Sequence, residues 1–218
     1  MNEVQLHGFQ WEKDILLNVY GATKEELASI KYNSTIDLPA AFNRLEKCAL
    51  SIKTSGSLNT VCMADCLHFY DSVNGNNPLH MVLVNYTQNG DIKRLSCITE
   101  IDLTASHKIL FNIIDRSQIE FLVKEIKAIP TGRKPNDKEY ANMYNIRNEL
   151  QKQSGVIKFN IKCDSKNQRR LQCSFTSFQE FLKNHKERII AQSYTNQFRG
   201  GIILSEIISR QRVFNNRI

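Results

Sequence analysis

The stretch that decides the fold runs from Ile36 to Thr54 and reads IDLPAAFNRLEKCALSIKT. Ser34 to Leu38 suits a short strand that Pro39 closes, because proline brings no amide to a strand ladder. Ala40 to Glu46 fits a helical turn, and Cys48 to Thr54 reads as a second strand. Within it Leu50 and Ile52 alternate with Ser51 and Lys53, so the serine and the lysine share one face. The apolar neighbours mark this strand as central, and a lysine in such a place wants an anion.

Working outward, Leu6 to Val19 has helical spacing, with Phe9, Glu12, Leu16 and Val19 on one face, so a carboxylate shares the apolar stripe. Thr23-x-x-Glu26 is a capping signal. Downstream, Ser55-Gly56-Ser57 is a turn, and Val61 to Tyr70 reads best as a helix holding Asp65, with a strand as the alternative. Met81 to Tyr86 and Ile92 to Ile101 flank Gln88-Asn89-Gly90-Asp91, a hairpin signal. His107 to Ile129 is expected to be helical, restarted at Ser117-x-x-Glu120 and stopped by Pro130. Thr131 to Ser154 is polar, a connection plus a peripheral helix. A second hairpin follows, with Ile157, Phe159, Ile161 and Cys163 facing Leu171, Cys173 and Phe175. Two helical patterns, Phe178 to Ala191 and Ile202 to Val213, close the chain around Phe198-Arg199-Gly200-Gly201.

The chain has 218 residues, enough to bury a core without disulfides. Lys and Arg number 29 against 22 Asp and Glu, a net charge of +7, which favours a polyanionic partner. No apolar run is long enough to span a membrane, and the N-terminus has no signal-like core, so a soluble, cytoplasmic protein is expected. Cys48, Cys62, Cys66, Cys97, Cys163 and Cys173 show neither zinc spacing nor paired motifs and read as reduced core thiols.

Cleaving a phosphodiester calls for a divalent cation held by carboxylates, with a lysine beside an activated water. Asp37, followed by Ser51-Ile52-Lys53, resembles the motif of the PD-(D/E)XK nucleases, and the run through Thr60-Val61-Cys62-Met63-Ala64-Asp65 with Phe69-Tyr70 is similar to restriction endonucleases. The resemblance implies an α/β core of restriction-endonuclease type: a mixed central β-sheet flanked by helices, over residues 1–130. An added C-terminal β-hairpin and helices over 131–218 would serve DNA recognition or dimerisation. It further implies Mg²⁺ as cofactor, with Asp37 as a metal ligand, Lys53 orienting the attacking water and Glu12 in support. Ser51 departs from the pattern, standing where the second carboxylate belongs. Some restriction enzymes of this type carry Ser-x-Lys and recruit a carboxylate from the following helix, which assigns that role to Asp65, with Asp71 in reserve. A homodimer acting on palindromic double-stranded DNA and a cognate DNA methyltransferase complete the implied picture.

The polar face of the second hairpin carries Lys158, Lys162 and Arg170 for phosphates and Asn160 and Gln172 for base edges. Lys166, Arg169 and Arg199 form a further basic group. Each residue also has a plainer reading: a strand end for Asp37, solvated side chains for Lys53, Glu12 and Asp65, and an ordinary polar sheet face for the hairpin. The rival functions are a structure-specific or nicking nuclease, a noncatalytic DNA-binding protein with a decayed site, and a basic protein with no nucleic-acid role.

Overall fold

The computed structural model describes residues 3–30, 36–164 and 168–208. Its centre is a mixed, curled sheet formed by β1 (Ala49–Ser55), β3 (Leu79–Asn89), β4 (Ile92–Asp102), β7 (Ile189–Ser193) and β10 (Glu206–Ile208). Strand β1 runs parallel to β3, and the other pairings are antiparallel. A second sheet, in the order β2 (Val61–Asp65), β6 (Arg169–Phe175), β5 (Ile157–Cys163), packs against one face of the first. Helices flank both sheets, giving an α/β architecture.

Two-residue alternation along β3 explains why there are two cores. Met81 and Leu83 point to one side, where they join Ile101, Phe159, Phe175 and the helices α3 (Cys66–Asn74) and α5 (Arg116–Ala128). Val82 and Val84 point to the other, joining Leu50, Ile52, Ile98 and, from α1 (Glu3–Asn18), Trp11 and Ile15. The first core draws residues from both sides of position 130, as does the second. A strand buried on both faces reads as a nearly continuous apolar run, and Leu79 to Leu83 has that form apart from His80.

The hairpin turn, the capping box at Thr23 and Glu26 before α2 (Lys24–Ser29), and the β5–β6 pairing follow the expected pattern. Several elements differ. Val61 to Tyr70 is strand β2 followed by α3, the changeover coming at Asp65, whose carboxylate accepts the His68 amide and caps the helix. The strand alternative wins for the first half because β6 already needs a partner on its outer edge. The helical stretch after His107 is interrupted as expected, into α4 (His107–Phe111) and α5, but the break comes earlier, at Asn112 with φ 58°, and the cap is Asp115 with Gln118 rather than Ser117 with Glu120. After α6 (Asp137–Gln153), the helical pattern from Phe178 ends early: α7 covers only Phe178–Asn184, and Ile189 to Ser193 extends the central sheet as β7. The Ile202 pattern is not helical over its described part: Ile202 ends β9 (Gly201–Ile202), which forms a hairpin with the preceding β8 (Gln197–Phe198), and β10 follows. On α1 the buried stripe runs through Trp11, Ile15 and Leu16, leaving Phe9 exposed. Of the short strand before Pro39, Leu38 makes a single bridge to Leu50; Ser34 and Thr35 lie outside the described residues.

Gly201 shows how the C-terminal hairpin seats on α1. A β-carbon there would fall 2.5 Å from the Asn18 carbonyl oxygen, so glycine alone permits the approach. The Trp11 indole then donates to the Leu204 carbonyl at 2.9 Å, fixing α1 against the short loop that leads into β10. Glu12 is the next residue on α1 after Trp11.

Among the described residues no helix is long and apolar enough to cross a membrane. All six cysteines are free thiols; Cys62 is exposed, against the expectation of a core position, because β2 turns it to the outer face of its sheet.

Candidate active site

The site forms at the edge of β1 that β3 does not cover. Leu38 bridges to Leu50 there, and one residue earlier the Asp37 amide also donates to the Leu50 carbonyl, at 2.7 Å. The chain then diverges from β1, and the Asp37 side chain takes over the pairing. Its Oδ2 accepts the Ile52 amide hydrogen at 2.6 Å. The Lys53 ammonium donates to the Ile52 carbonyl at 3.0 Å and lies 3.4 Å from the same Asp37 oxygen. Both polar groups of Ile52 are therefore satisfied by side chains where a neighbouring strand would otherwise bind.

Glu12 completes the group from α1. Burial is the main cause that lifts its carboxyl to about 7; the Asp37 charge pushes the same way and Lys53 opposes both. Asp37 is also raised, by burial first, while Lys53 and the Ile52 amide pull it back. Its side chain is 12% exposed and that of Lys53 14%. Two carboxyl groups thus share a poorly hydrated place with one ammonium, which leaves excess negative charge when both ionise.

Ser51 lies beside this group on β1, 2% exposed, and its hydroxyl has no hydrogen-bond partner among the described residues. Such an orphaned donor and acceptor is costly and is a natural place for a bound water or ion. The carboxylates of Glu12 and Asp37 offer oxygen donors alone. That fits a hard cation such as Mg²⁺, which commonly takes one or two carboxylates and fills its shell with water and substrate phosphate. No cluster of three or more His, Cys, Asp or Glu suited to a metal occurs among the described residues, so any ion here rests on two carboxylates.

Asp65 is not part of that pair. It sits at the end of β2, opposite Gln172 of β6, and its side chain caps α3. Asp71 is bound to Arg116, with Nε to Oδ1 at 2.7 Å.

The expected DNA-facing residues separate into two groups. Lys158, Lys162 and Arg170 are exposed, with Asn160 and Gln172 half-buried between them, all on the outer face of the second sheet. Arg169 and Arg199 are committed to the protein itself. The Arg169 guanidinium donates to the carbonyls of Ile129, Pro130, Arg133, Asp164 and Gln168. Arg199 pairs with Glu46 and with Glu100, the latter at 3.4 Å. Lys166 lies outside the described residues.

Glu100 belongs to a polar group that the sequence reading passed over. It is fully buried and meets His80 Nδ1 at 2.8 Å. Burial works against a charge on His80, but hydrogen bonds with Cys48 and Glu100 outweigh it and lift the imidazole to about 10. A histidine and a glutamate inside apolar strand patterns are the signal that was available for it.

No family model, curated protein or solved structure matches the chain.

Proposed function

We propose that the protein is a Mg²⁺-dependent DNA endonuclease of restriction-enzyme type, with a restriction-endonuclease-like core. The observation that carries the reading is the convergence of Asp37, Lys53 and Glu12 at the open edge of β1, from three separate segments of chain. Asp37 and Glu12 would hold the ion. The ion supplies charge neutralisation at the scissile phosphate and acidifies a bound water. Lys53, already 3.4 Å from Asp37, positions the attacking water and opposes the effect of burial on both carboxyl groups. The buried Ser51 hydroxyl contributes through a water rather than as an anion.

The net charge of +7 and the exposed Lys158, Lys162 and Arg170 support a polyanionic substrate. A restriction enzyme cutting both strands of a palindrome would act as a homodimer with one site per subunit, and a cognate methyltransferase would protect the host.

Incubating the protein with long unmethylated DNA, with Mg²⁺ or with chelator, tests the reading. Discrete Mg²⁺-dependent fragments that vanish in Lys53→Ala are expected. Intact DNA combined with salt-sensitive binding would favour instead a noncatalytic DNA-binding protein, a reading that the serine at position 51 supports.

A further inference from the structure

The second sheet places Asp65, Gln172 and Asn160 side by side in one register row across its three strands, Asp65 opposite Gln172 and Gln172 opposite Asn160. The neighbouring rows hold Ser174 and Lys158 on one side and Arg170 and Lys162 on the other. All of these alternate with Phe159, Leu171, Cys173 and Phe175, which are buried, so the row lies on the outer face.

We infer that this row reads base edges in the major groove of duplex DNA, and that Asp65 is a specificity residue of that reader. The inference rests on the proposal that the substrate is DNA.

Three arguments carry it. The first is size. The flanking rows lie two residues to either side along the strands, so at about 3.4 Å per residue they stand roughly 14 Å apart, comparable to the major-groove width of about 12 Å, with the row itself running along the groove. The second is charge. Exposed Lys158, Lys162 and Arg170 flank the row where phosphates would run, while the row itself carries no cation. A carboxylate beside a phosphate is repelled, but one facing a base accepts from the exocyclic amine of cytosine.

The third is what each side chain has left to offer. Asp65 Oδ1 is taken by the His68 amide at 3.0 Å, with His68 Nδ1 at 3.9 Å, which leaves Oδ2 for an outside donor. Asn160 Nδ2 is held by the Ser174 hydroxyl at 2.9 Å and the Lys158 carbonyl at 3.4 Å, so its amide is oriented before any ligand arrives and offers its oxygen. Gln172 makes no side-chain hydrogen bond among the described residues, which leaves both ends of its amide for the bidentate pairing that adenine accepts.

The test is binding selection without divalent metal, using the full chain and a pool of duplexes with a randomised centre. Wild-type protein, Asp65→Asn and Gln172→Ala are compared. Asparagine also caps helices well, so Asp65→Asn retains the start of α3. Wild type is expected to enrich a defined sequence. Each variant should lose roughly tenfold or more of the discrimination at one base position, cytosine for Asp65→Asn and adenine for Gln172→Ala. Its affinity for unselected duplex should not fall, and for Asp65→Asn it should rise.

Three results would overturn the inference: no enrichment by wild type, an enriched sequence that both variants keep, or loss of Mg²⁺-dependent cleavage in Asp65→Asn with selectivity intact. The last would move Asp65 to the metal centre. Because selection is read without metal, failure of the nuclease reading leaves this test standing.

Discussion

The Asp37 carboxylate accepts the Ile52 amide hydrogen at 2.6 Å, so one side chain stands in for the strand that β1 lacks on its outer edge. That bond holds the carboxylate within reach of Lys53 and orients it by the backbone rather than by solvent. A single residue therefore serves the fold and, under the proposed function, the metal.

The two duties can be separated. Asp37→Asn keeps an oxygen for the Ile52 amide but loses the charge, so Mg²⁺-dependent cleavage should fall by at least about a hundredfold, nearly 3 kcal/mol in barrier terms, while the unfolding midpoint in urea stays close to wild type. Asp37→Ala leaves a buried amide without an acceptor and should cost a further 1–3 kcal/mol or so of stability. Equal stability in the two variants would show that the Ile52 hydrogen bond holds nothing together.

Glu12 sets a pH dependence whose sign is fixed by the direction of its shift. Its folded-state value, about 7, lies above the ordinary value of 4.5, so the native state binds the proton more tightly than the unfolded chain. Without metal, stability should be highest below pH 4.5 as far as this group is concerned, and should decline as pH rises toward about 7. Glu12→Gln should flatten that decline. Cleavage needs the ionised form and should rise with pH through the same window, its midpoint moving down as Mg²⁺ is raised. Denaturant titrations and initial rates across the window check both trends, and an unchanged pH profile in Glu12→Gln would remove Glu12 from the site.

Much of this site was legible because strand alternation carries it. Leu50, Ser51, Ile52 and Lys53 could be assigned to faces from spacing alone, and the proline after Leu38 marked where the preceding segment ends. Glu12 was visible as a charge on an apolar helix face, although the buried stripe is centred on Trp11 and Ile15 rather than on Phe9 and Val19. What spacing could not give was pairing between distant segments. Residues 61–65 become a strand only because β6 lies beside them, and that partner is more than a hundred positions away. The same holds for Ile189 to Ala191, whose helical pattern yields to pairing with β4. Asp65, which the spacing puts inside a helix, is the residue at which β2 gives way to α3, and its carboxylate caps that helix.

Ser51 offers a test that separates chemistry from packing. Its buried hydroxyl has no partner, so Ser51→Ala should leave stability unchanged or raise it by up to about 1 kcal/mol. Ser51→Asp adds a third carboxylate to a place that already holds excess negative charge and should destabilise the metal-free protein. Mg²⁺ should then raise its thermal midpoint more than it raises that of wild type, because the new ligand is relieved only by the ion. Melting curves with and without Mg²⁺ decide it: equal Mg²⁺ shifts in the two proteins would place Ser51 outside the metal's reach.

The arginines divide by what they already hold. Arg199 has φ 49° in the turn before Gly200, a conformation that costs a non-glycine residue energy, and its guanidinium is tied to Glu46 and to the fully buried Glu100. Arg199→Ala leaves Glu100 with His80 as its remaining cation and should cost roughly 3 kcal/mol of stability. Arg169→Ala frees five carbonyls and should likewise show its effect in unfolding. Neither should alter how DNA affinity responds to salt. Arg170→Ala and Lys158→Ala, which remove exposed charges, should do the reverse: little change in unfolding, and a salt slope shallower by about 0.9 for each phosphate that the variant no longer neutralises. Measuring affinity for one duplex across a salt series, beside urea unfolding of the same four variants, checks the division. A shallower slope in Arg199→Ala with the fold intact would return that residue to the DNA surface and leave the buried Glu100 to be balanced by His80 alone.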